Sequence, residues 1–451
     1  MKSDVVVIGG GPAGLITALT AQGVYPHKSI CLVKEIGDGV IPCAIPYMMR
    51  TLADPAKNAL GDQPLQNAGV NIVVGKVTSL DTGLRRVQLD SGTSICYERL
   101  VLATGAEPTA PPIPGIHRRG VHLVRKSMSS LEDLRGELHE ARSVVIVGGG
   151  FIGVEFADEL SGIPGLEVHL VEIMPRLMTA AFDDEFCDAI TTILEAKGIH
   201  VTTGSRVLTI DGDEHVESVT LEGGRTIPAD LVLVSAGARP ASELAARAGI
   251  RVVDGGSVWV DDYMRTDVEG VFAVGDCALK RDFFTRRAVP VMLASTATAE
   301  ARIAGTNLYG IRVMRQIPGT LAAFSTRIGD VAFASAGMTV RTCEAEGFRF
   351  IKAVASAPDR HPGALPGAST LTMQLLFSRR SGVLIGGQLS GGPSVGELIN
   401  VVGLGIQNKV TACELDMMQI ATHPLLTPAP TVHPLVNAAH RALAEMRALE
   451  R

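Results

Sequence analysis

Val5-Val6-Val7-Ile8-Gly9-Gly10-Gly11-Pro12-Ala13-Gly14 opens the chain almost at its first residue, and Val144-Val145-Ile146-Val147-Gly148-Gly149-Gly150-Phe151-Ile152-Gly153 repeats its pattern. Each run of four β-branched residues leads into G-x-G-x-x-G, and an apolar stretch follows, at 15–21 and at 154–160. A buried parallel strand that turns at once into a helix leaves that helix's first N–H groups facing outward, where they suit a pyrophosphate. Side chains on the turn would block its approach. The first copy thus puts Gly9, Gly11, Pro12, Ala13 and Gly14 against one nucleotide. The second puts Gly148, Gly150, Phe151, Ile152 and Gly153 against another. Two nucleotides on one chain point to an enzyme that passes electrons between them.

Beyond the first copy, 29–33 reads as a second strand, and Cys43 lies a short loop further on, between Pro42 and Pro46. The apolar stretch 44–52 predicts a helix starting there, with the sulfur near its positive end. Leu100-Val101-Leu102-Ala103-Thr104-Gly105 is a buried strand ending in a small-residue turn, and prolines 108, 111, 112 and 114 mark a linker. From about 120 to 242 the plan repeats, with Leu231 to Val234 and then Ser235-Ala236-Gly237 as the counterpart of 100–105. A strand and turn, Val271-Phe272-Ala273-Val274-Gly275-Asp276, precede a small-residue helix at 293–308. From about 319 the texture changes to strands (371–377, 383–389) and helices (395–407, 433 onward), a third, α+β domain.

A chain of 451 residues exceeds what one core usually supports. With 41 basic and 47 acidic residues the net charge is −6, and no basic face for nucleic acid is legible. No apolar run reaches membrane-spanning length, and Met1-Lys2-Ser3-Asp4 leads directly into the first strand, so a cytoplasmic enzyme without membrane contact is expected. The seven cysteines are scattered, with no C-x-x-C pair and no metal-ligand cluster. Cys31, Cys96, Cys187 and Cys277 read as small buried residues.

The ordered set of the two fingerprints, Ala103-Thr104-Gly105, Ser235-Ala236-Gly237 and Thr266 with Gly275-Asp276 resembles the two-dinucleotide-domain flavoprotein disulfide reductases. Ile41-Pro42-Cys43-Ala44-Ile45-Pro46-Tyr47 resembles their single-cysteine branch, which includes coenzyme A disulfide reductases, NADH oxidases, NADH peroxidases and persulfide reductases. The stretches at 386–388 and 396–400 resemble that branch's dimerisation domain. The resemblance implies an α/β fold with two Rossmann-like dinucleotide-binding domains and a C-terminal α+β dimerisation domain. These would be an FAD-binding domain at 1–118 and 243–320, an NAD(P)H-binding domain at 119–242 and a dimerisation domain at 321–451, in a homodimer. It further implies that the first fingerprint holds FAD, with Ala103, Thr104 and Gly105 beside it and Gly237 at the matching turn. Asp276, after Gly275, would hydrogen-bond the ribityl chain, and the helix after Pro290 would aim its N-terminus at the flavin pyrimidine edge. Lys34 or Glu35 would lie at the FAD ribose, Glu35 being favoured. Glu172 would accept the ribose hydroxyls of the second nucleotide and repel a 2′-phosphate, which prefers NADH over NADPH, although Arg176 is close enough in sequence to accept one. Phe151 falls where the family places an aromatic gate over the flavin, and Glu155 where it contacts the carboxamide.

Cys43 has no second cysteine nearby in sequence with which to form an internal redox disulfide. It is expected to attack an exogenous disulfide, persulfide or polysulfide, hold one half as a mixed disulfide, and be released by electrons from NADH through FAD. The alternatives are a thiol–sulfenic acid cycle, as in an NADH oxidase or peroxidase, and a flavoprotein that delivers electrons to a protein partner. Pro12 stands where NADH peroxidases carry a histidine. Ala364, Leu365, Thr422 and Leu426 stand where coenzyme A disulfide reductases carry tyrosines, which leaves a coenzyme A derivative one candidate among small sulfur acceptors. Thr422-His423-Pro424 resembles the histidine–proline of two-cysteine reductases, with Pro428 in place of the orienting glutamate. His361 is a second candidate for proton exchange.

Overall fold

The strand Val5–Ile8 is wholly buried and lies at the centre of a five-stranded parallel sheet in the order Val271–Ala273, Arg99–Leu102, Val5–Ile8, Ile30–Lys34, Asn71–Val74. A strand flanked on both edges and covered on both faces has to be apolar throughout, as this one is. The computed structural model describes residues 1–315 and 318–449, and divides them into two compact units.

The first unit comprises Met1–Ala141, Gly212–Val216 and Asp230–Thr320. Helix Pro12–Val24 packs against helix Ala294–Thr306 so closely that a Cβ on Gly305 would stand 2.9 Å from the Cβ of Thr20. A three-stranded antiparallel meander, Val77–Asp81, Arg86–Leu89 and Ser94–Cys96, completes this copy of the plan. The ribbon Ala106–Pro108 with Ala238–Pro240 joins the ends of the two duplicated strands, at Gly105 and Gly237.

The second unit comprises Arg142–Asp211, Glu217–Ala229 and Leu321–Arg451. It carries the parallel strands Ser143–Val147, Glu167–Val171 and His200–Thr202, and its own three-stranded meander, Val207–Asp211, Ser218–Leu221 and Thr226–Pro228. The duplication seen in the sequence therefore extends to these meanders. The C-terminal part is a five-stranded antiparallel sheet in the order Phe324–Ile328, Val331–Gly337, Leu384–Gly391, Thr370–Ser378, Phe350–Pro358, covered by helices Val395–Gln407 and Pro434–Leu449. One buried carboxylate fastens the two parts of this unit. Asp183, 4% exposed, accepts hydrogen bonds from the amide nitrogens of Gln374 (2.6 Å) and Gln388 (2.5 Å), which face each other across neighbouring strands, and from the backbone of Val340 (3.0 Å). Full satisfaction is what allows a charge at that depth.

The expected strands and helices are present, at Ile30–Lys34, Ala294–Thr306 and Val395–Gln407 among others. The helix expected to start after Cys43 is not. Pro42–Ala44 and Pro46–Met48 form two short 3₁₀ turns instead. Pro46 has no N–H to return to Pro42, and each proline starts a turn that ends within three residues. Cys43 therefore sits inside a turn and not at the positive end of a helix. Cys96 also departs from expectation, because it lies on the outward face of its strand and is exposed. Among the described residues no helix is long and apolar enough to cross a membrane.

Candidate functional site

The first fingerprint forms a cradle whose glycines do three different things. Gly9 receives the chain from the strand, its N–H bonded to Val33 O at 2.8 Å, and turns at φ +124°. A Cβ there would lie 2.0 Å from Ala103 O, and one on Gly14 would lie 1.9 Å from Gly9 O, so both positions are closed to any side chain. Gly11 differs: it is extended (φ −79°, ψ −176°), and nothing stands within 4 Å of where its Cβ would be. Gly11 is the N-cap of helix Pro12–Val24, which begins with proline and has no side-chain cap, so the N–H groups of Ala13 and Gly14 have no partner within the helix. A phosphate fits this place and a side chain would fill it.

Two further elements converge on the same cradle. Gly275, at φ +73°, packs so tightly on the helix that a Cβ would come 2.8 Å from that of Ala13, which sets the half-buried Asp276 alongside, with Lys126 Nζ 3.6 Å from its carboxylate. Thr104, after the strand that closes on Gly9, donates its hydroxyl to Ala241 O at 2.6 Å, and Gly105 turns at φ +72°.

The second cradle repeats this geometry. Gly148 N–H bonds Val171 O at 2.8 Å and Gly148 turns at φ +113°. Gly150 is extended with open space above it, and helix Phe151–Leu160 again starts without a side-chain cap. Glu172 closes the cradle, accepting from the N–H groups of Gly149 (2.5 Å) and Met174 (2.7 Å). Arg176 is held by two carboxylates, Asp184 at 3.0 Å and Asp188 at 2.7 Å. Phe151 stacks on Phe324, centroids 4.9 Å apart and planes 18° from parallel, and Ile152 is half exposed. Gly237, in the first unit, turns at φ +102°.

Superposing the two registers locates the residue at the first cradle that corresponds to Glu172. Ile8 pairs with Val33 as Val147 pairs with Val171, so Lys34 stands in the place of Glu172. A Cβ on Gly10 would meet the Lys34 side chain at 2.7 Å, as one on Gly149 would meet Glu172 at 3.0 Å. Glu35 lies one residue further out, exposed and paired with Lys76 at 2.8 Å. Lys34 is buried and its ammonium holds both oxygens of Asp62, at 2.7 and 2.8 Å. A carboxylate is thus delivered to this side of the cradle from another segment, an arrangement that no local pattern in the sequence announces.

Glu155 sits one turn into helix Phe151–Leu160 and accepts a hydrogen bond from Thr326 at 2.7 Å. Burial pushes its carboxyl up to about 7, against the pull of that hydroxyl and with a further push from Asp158. The unfolded chain releases this proton near its ordinary value of 4.5, whereas the folded chain keeps it up to about 7. The group's contribution to stability is therefore present in acid and is lost as pH rises from about 4.5 through about 7, a change of roughly 3 kcal/mol. Glu155→Gln should remove that pH slope, as read from denaturant midpoints at several pH values. Equal slopes in both proteins would place its origin elsewhere.

Cys43 is exposed and lies in the first unit, as the first cradle does. Its turn is pinned by Asn58, 2% exposed, whose side-chain amide donates to Ile41 O (3.2 Å) and whose backbone carbonyl accepts from Ile41 N–H (2.9 Å). Ala44 N–H closes back on Ile41 O at 3.2 Å. The sequence does not single out Asn58. Burial pushes the thiol of Cys31 up to about 11 and those of Cys187 and Cys343 to about 12, which makes them inert, and that of Cys277 is raised as well.

His361 and His423 belong to the second unit and share one knot of chain. The backbone N–H of His361 donates to Pro424 O at 3.0 Å, and its Nδ1 lies 2.9 Å from Thr427 O. A carbonyl only accepts, so Nδ1 carries the proton and Nε2 the lone pair. His423 is exposed, and its Nδ1 accepts from Leu425 N–H at 3.3 Å, which assigns the proton of the neutral ring to Nε2. The knot thus presents one imidazole as a base and the other as a proton donor.

A duplicated pair of cradles built for two dinucleotides, with an exposed cysteine in the unit of the first, defines a flavin- and pyridine-nucleotide-dependent oxidoreductase. Residues 3–301 match the pyridine nucleotide-disulphide oxidoreductase family and residues 324–433 its dimerisation domain, and the chain belongs to that family. Its cofactors are FAD and NAD(P)H. It is 31% identical to the NAD(P)H coenzyme A polysulfide/persulfide reductase of Pyrococcus horikoshii, over 87% of this chain and 88% of that protein. It is 30% identical to the NADH oxidase of Methanocaldococcus jannaschii, over 98% and 99% respectively. Among solved structures it is similar to an NAD-dependent persulfide reductase from A. fulgidus, with TM-score 0.91, 29% identity, and 100% of this chain and 84% of that one covered.

Proposed function

We propose that this enzyme uses NADH to reduce the sulfur–sulfur bond of a small persulfide, polysulfide or disulfide, with Cys43 as the nucleophile. The observation that carries this reading is an exposed thiol held in a turn within the unit of the first cradle, while four of the other six cysteines are buried, Cys96 ends a meander strand and Cys413 lies in the second unit. The Cys43 thiolate attacks one sulfur of the acceptor R–S–S–R′. A Cys43–S–S–R bond forms, the S–S bond of the acceptor breaks, and R′–S⁻ leaves. Two electrons from NADH, for which FAD bound in the first cradle would supply the route, reduce this mixed disulfide, so that its S–S bond breaks, R–S⁻ leaves and the Cys43 thiolate is restored. The leaving thiolate is protonated from solvent.

Gly9, Gly11, Ala13 and Gly14 would hold the FAD pyrophosphate, Asp276 its ribityl hydroxyls and the Lys34–Asp62 pair its ribose side. Gly148, Gly150 and Gly153 would hold NADH. Glu172 faces the ribose there and Arg176 is already neutralised by Asp184 and Asp188, which favours NADH over NADPH. The three-domain division at 118, 242 and 320, a homodimer joined through the C-terminal domain and a cytoplasmic location belong to the same reading.

A second reading, NADH oxidase, is supported by the full-length likeness to the M. jannaschii protein. Stopped-flow mixing of the NADH-reduced enzyme with a low-molecular-weight persulfide or with oxygen at matched concentration separates the two. The expected result is faster reoxidation by the sulfur compound, with mass spectrometry showing an adduct on Cys43 that NADH discharges. Faster reoxidation by oxygen, with no adduct, would reverse the assignment.

A further inference from the structure

Lys280 and Glu300 are 4% and 3% exposed, and their charged groups meet at 2.9 Å. Neither touches any group assigned above to substrate. Burying two charges costs about as much as their attraction returns, so a pair at this depth is poorly explained as a source of stability. What the pair holds is more informative. The Glu300 oxygen that meets Lys280 also accepts the N–H of Gly275, at 3.1 Å, and the Lys280 ammonium donates to Gly275 O and, at 3.0 Å, to Ala278 O. Both peptide groups of the glycine before Asp276 are therefore fixed by one ion pair. Glu300 belongs to helix Ala294–Thr306, six residues from its first residue, or about 9 Å along the axis. That helix has no side-chain cap at its N-terminus. Arg315 also faces Glu300, and burial raises the Glu300 carboxyl against the pull of both cations.

We infer that the Lys280–Glu300 pair is a positioning device for the flavin. It locks the Gly275–Asp276 turn to the 294–306 helix, so that the carboxylate and the helix N-terminus present one fixed geometry to the same ligand. The inference rests on the reading that Asp276 and this helix face FAD. The two partners have separable roles. Lys280 holds the turn through two carbonyls, so its loss loosens Asp276. Glu300 neutralises Lys280, so removal of its charge leaves a buried cation beside the cradle, which favours a reduced, anionic flavin.

The test uses Lys280→Met and Glu300→Gln in the full-length holoenzyme. FAD dissociation constants come from reconstitution of the apoenzyme, and midpoint potentials from dye equilibration. Lys280→Met should weaken FAD by about tenfold or more. Glu300→Gln keeps an acceptor for the Gly275 N–H, and should hold FAD within about threefold of the parent while its potential moves to a more positive value. An unshifted potential in Glu300→Gln overturns the inference, as does parent-like FAD affinity in a folded Lys280→Met. If Lys280→Met does not fold, the potential of the conservative Glu300→Gln decides alone. Asp276→Ala separates the two levels. Parent-like FAD affinity in that variant would show that the flavin assignment itself has failed. Weakened FAD in Asp276→Ala beside parent-like values in both pair variants would overturn only the positioning role.

Discussion

Replacing Cys43 by serine should lower the reduction of small persulfides and disulfides by on the order of 10³-fold or more, while FAD stays bound and NADH still reduces an artificial dye. The turn carrying Cys43 is held by backbone contacts and by Asn58, and a serine hydroxyl is close in size and shape to the thiol, so the substitution leaves the fold in place. A serine hydroxyl is almost wholly protonated at neutral pH and forms no mixed disulfide with the acceptor, so the step that stores half of the substrate is lost. The remaining thiols do not substitute for it. Cys31, Cys187, Cys277 and Cys343 are buried with raised pKa values, and exposed Cys413 lies in the other unit. Exposed Cys96 ends a meander strand, bonded through its backbone to Met1 and Ser3. The measurement is NADH consumption with a persulfide as acceptor, beside dye reduction and flavin content on the same preparation. Undiminished sulfur reduction in the serine variant would mean that electrons leave the flavin by a route that does not use this thiol, as in delivery to a protein partner.

The duplicated plan could be read from the sequence because it is local. A β-branched run, three glycines at fixed spacing and an apolar helix are contiguous, and the turn conformation that each glycine serves leaves its mark at that position. Glu172 is equally local, since it directly follows the strand paired with the fingerprint strand. Where the function of a position is supplied from elsewhere in the chain, the sequence gives no such mark. Lys34 takes the place of Glu172 in the first copy, and the carboxylate reaches it from Asp62, 28 residues on. Asn58 stabilises the cysteine turn from 17 residues beyond Ile41, and Asp183 meets Gln374 across 191 residues. Each is a long-range polar contact fixed by tertiary packing. The helix expected after Cys43 failed for a local reason that was visible, the second proline four residues after the first.

Gly11→Ala should yield a folded protein that has lost nearly all its flavin, with FAD affinity reduced by about 100-fold or more, or roughly 3 kcal/mol. The three glycines of the cradle differ in what an added side chain would meet. At Gly14 a Cβ would collide with Gly9 O at 1.9 Å, so a substitution there damages the fold as well as the site and reports on neither alone. At Gly11 the backbone is in the extended region that alanine adopts without strain, and no protein atom stands within 4 Å of the added carbon. Loss of conformational freedom in the unfolded chain even stabilises such a variant slightly, by about 0.5 kcal/mol. The methyl group nevertheless occupies the open space at the N-cap of the helix, where the second glycine of such a fingerprint lets the backbone approach a pyrophosphate. Flavin content by absorbance, beside the thermal transition of the apoprotein, reads the two effects separately. Gly150→Ala carries the same change to the second copy, where Gly150 is equally extended and open. It should leave FAD bound and raise the dissociation constant for NADH by a similar factor, so the pair of variants assigns one nucleotide to each cradle. A Gly11→Ala protein with full flavin content would show that the first fingerprint is not where the FAD pyrophosphate lies.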